Sequence, residues 1–230
     1  MFRILIYILL GFFCFTSRGQ SIRVLDLNRD YEKYRKTSDF DIIHPEFDSA
    51  KQTWVADIQV YFDSVTKGMI GESYKVLKDK ANRYGANAFT VKESDIYSLG
   101  DEKYINFSIY WIRMEDRDEN LKLLHDNSLY LFGFLGYHQE IEGYEVAVND
   151  EEFIMKSLSY RVYEFEEDEK VRIQLGSSLR GTTQEIRVQR KSFPRFYNFH
   201  LLRGSFKNAW IGEYDKNFGL FLTHILRKEE

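Results

Sequence analysis

The sequence predicts an α+β fold, with an N-terminal β-α-β-β domain followed by an all-β, sandwich-like domain. Three observations carry this expectation. An alternating apolar stretch at Thr53–Phe62 leads into a helical stripe over Gly71–Tyr84 and two further strands. From Leu129 onward, short aromatic and β-branched runs alternate with turn residues at near-regular spacing, the pattern of a sandwich or barrel. Between them lies the charge run Arg113–Asn120, read as a solvated linker. The expected division is a leader at 1–19, an α/β domain at 20–120 and a β domain at 121–230.

The leader rests on a positive start, Met1-Phe2-Arg3, followed by the apolar run Ile4–Phe15. Ser17 and Gly19 place small residues at −3 and −1 of a cut before Gln20. This is the pattern of a secretory signal peptide, and the run is shorter than the ~20 apolar residues that span a bilayer. Cys14, the sole cysteine, lies inside it. Phe13 before it is too bulky for a lipoprotein cleavage site, so lipidation is not expected. The mature chain then offers no disulfide and no thiolate. Export without cysteine points to a Gram-negative envelope, periplasmic or outer-membrane-associated, or to the extracellular space.

Charge and composition narrow the function classes. The full chain carries a formal charge of −4 from 32 basic and 36 acidic residues. Losing Arg3 and Arg18 with the leader leaves a charge of −6, so the chain has no basic footprint for nucleic acid. The 43% hydrophobic and 17% aromatic content excludes disorder.

Each element has a local reason. Ile22 and Val24 alternate in a short strand at Gln20–Leu27. A short helix is expected near Arg29–Lys36. In Thr53–Phe62, period two puts Trp54, Ala56, Ile58, Val60 and Phe62 on one face. Asp57 and Gln59 join Val55 and Tyr61 on a half-polar opposite face. Tyr74, Leu77, Ala81 and Tyr84 form one helical stripe, and Gly85 follows as a stop tolerant of positive φ. Ala88–Val91 and Tyr104–Ile112 are strands, the latter with Ile105, Phe107, Ile109 and Trp111 on one face. In the second half, strands are expected at 129–135, 144–149, 153–158, 160–165, 170–175, 184–189, 196–202, 209–214 and 219–225. Asn149-Asp150 and Glu166–Glu169 are among the turns between them.

The run Leu77-Lys78-Asp79-Lys80-Ala81-Asn82-Arg83-Tyr84-Gly85-Ala86-Asn87-Ala88-Phe89 resembles a bacterial pattern in which a helix meets G-A-N-A and a strand. It is similar to the YbjQ-type heavy-metal-binding domains and to RcsF-like envelope stress-sensor domains, over residues 55–112. The resemblance implies a small domain with its helix packed on a sheet. It transfers no metal ligands, since the segment has neither His nor Cys, and no redox role, since RcsF-like domains carry disulfides. Residues 129–225 resemble envelope β-sandwich domains of unknown function.

Catalytic and metal motifs are sparse. His44, His125, His138, His200 and His224 are all more than ten residues apart and form no ligand pair. Ser64-Val65-Thr66-Lys67 spells S-x-x-K but lacks its partner motifs. Glu164, Glu166, Glu167, Asp168 and Glu169 lack the alternation of a calcium loop and read as a solvated hairpin turn. No catalytic residue, metal or cofactor is expected. The candidate binding residues are Phe193, Arg195, Phe196, Tyr197, Phe199 and Trp210, where aromatic rings crowd beside arginines. The expectation is an exported, non-enzymatic binding or structural module whose partner is another envelope protein or a cell-wall glycan. The alternatives are a dedicated carbohydrate- or peptidoglycan-binding module and a hydrolase using scattered carboxylates. No nucleic-acid partner is expected, nor a membrane span after leader removal.

Overall fold

A computed structural model describes residues 21–32, 39–62, 69–97, 103–135, 143–176, 181–188, 193–201 and 209–229. The leader with Cys14, the Ser64–Lys67 motif, His138 and the side chain of His200 lie outside the described residues. The architecture is mixed α+β, with an N-terminal β/α/β region and a separate multi-stranded β region.

The N-terminal sheet contains β1 (Ser21–Leu27), β2 (Asp41–Ile42), β3 (Gln52–Phe62), β4 (Ala88–Asp95) and β5 (Lys103–Ile112) in the order β1-β3-β5-β4-β2. The alternation in β3 holds from Ala56 onward, with Ala56, Ile58 and Val60 buried. A bulge at Val55 breaks it, so Val55 and Ala56 are both buried and Trp54 moves to the opposite face, across from Tyr110. Trp54 therefore sits beside Asp57 rather than with Ile58.

Helix α1 (Met69–Tyr84) lies on the apolar face of this sheet, burying Ile70, Ser73, Leu77 and Ala81. It ends where the sequence says. Gly85 has φ 80°, its N–H reaches the Asn82 carbonyl (3.1 Å), and the Ala86 N–H reaches the Ala81 carbonyl (3.0 Å). These are the paired bonds of a Schellman cap, which glycine supplies without a Cβ penalty. Asn87 then continues the β4–β5 ladder with its side chain. Its Nδ2 donates to the Ile112 carbonyl and its Oδ1 accepts from the Ile112 N–H, each at 2.8 Å.

The charge run is not a linker. Met114–Leu123 forms helix α2, with Glu115 and Asp116 in its first turn and Lys122 in its last, as the helix dipole favours. Its inward side combines Leu121, which packs on the core, with polar groups. Arg117 pairs with Asp39 and with the buried Asp41, while Asn120, fully buried, donates to the Ile42 carbonyl and accepts from the His44 N–H. Residue 120 thus lies inside a helix docked on β2.

The β region forms two further sheets. The middle one holds β6 (Ser128–Phe132), β9 (Ser159–Glu164), β12 (Arg195–Leu201), β13 (Ala209–Glu213) and β14 (Arg227–Lys228), ordered β13-β12-β6-β9-β14. The outer one holds β7 (Tyr144–Val148), β8 (Glu151–Met155), β10 (Lys170–Leu175) and β11 (Thr182–Arg187), ordered β11-β10-β7-β8. Asn149 (φ 49°) and Asp150 (φ 84°) make the two-residue turn between β7 and β8. The acidic turn after β9 is exposed but closes no hairpin, because β9 and β10 belong to different sheets.

The two sheets face each other through Leu129, Leu131, Tyr197 and Phe199 on one side and Val146, Val148, Val171, Ile173 and Leu175 on the other. The middle sheet is apolar on its other face too. There Phe132 and Phe196, with Tyr130 and Tyr160, enter the same core as Phe89 and Phe107 of the N-terminal sheet.

A third helix packs between these layers. Residues 219–225, expected as a strand, belong to helix α3 (Lys216–Ile225). Asp215 caps it, its Oδ1 accepting from the N–H groups of Asn217 (3.0 Å) and Phe218 (3.3 Å). Phe218, Phe221, Leu222 and Ile225 recur at helical spacing, and Phe221 packs on Phe107 (ring centroids 5.9 Å) and Tyr74 (5.2 Å). On the opposite side Gly219 abuts the Phe196 ring, where a methyl group would overlap it. The aromatic run that reads as strand is a helix held between two sheets.

Candidate functional site

Most of the expected binding residues are structural. Phe196, Tyr197 and Phe199 are buried in the middle sheet, the first facing α3 and the others facing the outer sheet. Arg195 makes a bidentate pair with Glu213 (Nε–Oε1 3.0 Å, Nη2–Oε2 2.9 Å). Phe193 is partly buried, with the Lys216 ammonium 4.0 Å over its ring and the His125 ring edge-on at 4.4 Å. Trp210, 44% exposed on the edge strand β13, is the member that meets solvent most fully. A single exposed surface therefore does not contain these six residues. Their crowding reflects a middle sheet that needs an apolar side chain on both faces.

Buried polar groups gather at the junction of the layers. Asp41 accepts from Arg117 of α2 and, through Oδ1, from Asn217 Nδ2 of α3 at 2.8 Å. Burial pushes the nearby Lys216 ammonium down, partly offset by Asp41. Burial likewise drives the Tyr74 phenol well up, and the carboxylates of Asp215 and Asp41 add to this. Asp41 is satisfied by Arg117 and Asn217, and these bonds fasten β2 to α2 and α3, while the Asn217 Oδ1 is buried without a partner.

The open face of the N-terminal sheet has a different character. One end is covered, where Ile43 and Phe47 pack on Ala88 and Ile112 with Tyr110 alongside. Beyond that end the side chains are partly or fully exposed, apart from Ser108, which is buried. The register aligns Trp54 with Tyr110, Asp57 with Ser108 and Thr90, Gln59 with Asn106 and Glu93, and Tyr61 with Tyr104. The two tyrosine rings lie 6.3 Å apart.

Two carboxylates on this face are held in place. Asp57 Oδ1 accepts from Ser108 Oγ (2.6 Å) and Trp54 Nε1 (3.1 Å), and its Oδ2 accepts from Lys92 Nζ (2.7 Å). Partial burial pushes the Asp57 carboxyl up, but the hydrogen bonds from Lys92, Ser108 and Trp54 outweigh it and hold the group below its ordinary range. Glu93 accepts from the Tyr104 hydroxyl and from Asn106 Nδ2, each at 3.2 Å. The half-polar character of Asp57 and Gln59 is readable in the sequence. Their alignment with Ser108, Asn106 and Glu93 is not, because register is a long-range property.

The remaining expected chemistry is dispersed. His44 Nδ1 accepts from the Glu46 N–H (3.2 Å) and His224 Nδ1 lies 2.8 Å from the Leu220 carbonyl. Among the described residues no group of three or more His, Cys, Asp or Glu is placed to hold a metal ion. No helix among them is long and apolar enough to cross a membrane.

No family model and no curated protein matches the chain. Among solved structures, the crystal structure of the Francisella virulence factor FvfA in its orthorhombic form is similar over 40% of this chain and 99% of that chain. The identity is 14% and the TM-score 0.28.

Proposed function

We propose that this chain is an exported, non-enzymatic binding module of the bacterial envelope, which meets its partner through the open face of the N-terminal sheet. The observation that carries this reading is Asp57. Its carboxylate is fixed by Trp54, Ser108 and Lys92 on a sheet face that meets solvent. A carboxylate held in its ionised form suits acceptance of hydrogen bonds from a ligand, whereas a general acid at neutral pH needs a raised pKa. The rigid layers behind the face, fastened by Asp41 and Arg117, keep its side chains in register. The export half of the reading rests on Met1–Gly19.

The test is a photo-crosslinking amino acid placed at Gln59, in the middle of the face, in cells making the full chain. A discrete envelope adduct that is lost on Asp57→Asn supports the reading. Adducts only from a control position on the outer sheet, such as Glu185, overturn it.

A further inference from the structure

We propose that the open face of the N-terminal sheet is a platform for a linear, uncharged glycan chain; this rests on the reading that the face is the binding surface. The argument begins with shape. In β5, Tyr104 and Tyr110 lie six positions apart, roughly 20 Å at the ordinary strand rise. Each is paired across the ladder with another aromatic residue, Tyr61 at one end and Trp54 at the other. The surface therefore carries a pair of rings at each end, the Trp54–Tyr110 pair lying beside the cover formed by Ile43 and Phe47. Sugar rings offer flat C–H faces that stack on such side chains.

Between the rings lie acceptors whose geometry is set before any ligand arrives. A carboxylate has about four lone-pair sites. Asp57 uses three, for Ser108, Trp54 and Lys92, and Glu93 uses two, for Tyr104 and Asn106. About three sites remain for ligand hydroxyls, which bind ionised acceptors more strongly than neutral ones. Gln59 adds a side-chain amide in the same row as Asn106 and Glu93. Fixed acceptors save the ordering cost that flexible ones impose on binding.

Charge excludes one polymer class. Asp26, Asp57, Glu93 and Asp95 share this face with Arg23 and Lys92, a balance of four acids to two bases. A net negative strip repels anionic polysaccharides and nucleic acids. A hydroxyl-rich neutral chain stacks on the rings and donates to the carboxylates without that penalty.

The experiment titrates the purified mature chain with cellohexaose and chitohexaose by isothermal calorimetry, alongside a heparin hexasaccharide and a hexalysine peptide. The expected result is saturable binding of at least one neutral hexasaccharide. Asp57→Asn and Tyr104→Ala then weaken it by about tenfold or more, the loss of one good charge-assisted contact. Near-UV circular dichroism checks that both variants keep the fold, and Tyr104→Phe, which spares the ring, is expected to lose less than Tyr104→Ala. Absence of binding at millimolar neutral sugar overturns the proposal. So does preference for heparin or hexalysine, or loss of binding on Trp210→Ala with none on Asp57→Asn. If no sugar binds while the Gln59 crosslinker still traps an Asp57-dependent envelope protein, the glycan assignment falls and the binding face stands. If both experiments fail, both readings fall.

Discussion

Gly219 touches Phe196: the helix backbone of α3 rests on the phenyl ring of β12 with no room for a methyl group between them. Helix interiors disfavour glycine by up to about 1 kcal/mol relative to alanine, so an exposed Gly→Ala change in a helix is normally stabilising. Here crowding wins. Gly219→Ala is expected to destabilise by about 1–3 kcal/mol, the usual cost of overpacking, read as a lower urea midpoint. A neutral or stabilising effect would show that α3 is not seated against Phe196.

Asn87 replaces a peptide group in the β4–β5 ladder. Truncation to alanine leaves the N–H and carbonyl of Ile112, both at a buried position, without partners. At about 1–3 kcal/mol for each unsatisfied group, Asn87→Ala is expected to cost about 3 kcal/mol. Asn87→Asp keeps the acceptor but loses the donor, and its equilibrium unfolding is expected to fall between the two.

Arg117 neutralises a carboxylate that is almost completely buried. Arg117→Met strands Asp41 and is expected to cost about 3–5 kcal/mol. Adding Asp41→Asn removes the stranded charge and leaves a side chain that still accepts from Asn217. The double variant is therefore expected to be more stable than Arg117→Met alone, and denaturant titration of the parent, both single variants (Arg117→Met and Asp41→Asn) and the double variant measures the coupling.

Asp57 gives the fold an acid limb. Its carboxyl is held below its unfolded value, which is near 4. Its contribution to stability is thus complete above that unfolded pKa and is lost as pH falls through the folded one. Melting temperature followed downward from pH 5 is expected to fall less steeply in Asp57→Asn than in the parent. Parallel slopes in the two proteins would show that Lys92, Ser108 and Trp54 do not hold the carboxylate ionised.

The features legible in the sequence are local ones. Gly85 stops α1 because a cap needs only the helix end and one residue tolerant of positive φ. Asn149-Asp150 turns the chain because the dipeptide itself favours the required backbone. The apolar faces of β3 and β5 follow from period two. What escapes is set by partners far along the chain. Arg117 and Asn120 look solvated until β2 is placed beside them, and hydropathy cannot see an inward face made partly of charge. Residues 219–225 look like a strand because their glycine and phenylalanine depress helix propensity, and burial between two sheets overrides that preference. The crowding of Phe193, Phe196, Tyr197 and Phe199 is legible, but whether it is surface or interior depends on how many sheets stack. Asp57 and Gln59 are readable as the polar half of a strand, while the cross-strand partners that make them a candidate site emerge only with register.

Helix α3 also bears on the order in which the structure is completed. Its residues follow every strand of both flanking sheets except β14, yet Phe221 packs on the apolar side of the first and Gly219 on that of the second. Until residues 216–225 have emerged and docked, Phe89, Phe107 and Phe196 lack part of their cover. Closing contacts this distant in sequence carries a loop-closure cost that local contacts do not. Final packing of the two halves is therefore expected late, when α3 docks alongside the Tyr97–Leu158 hydrogen bond.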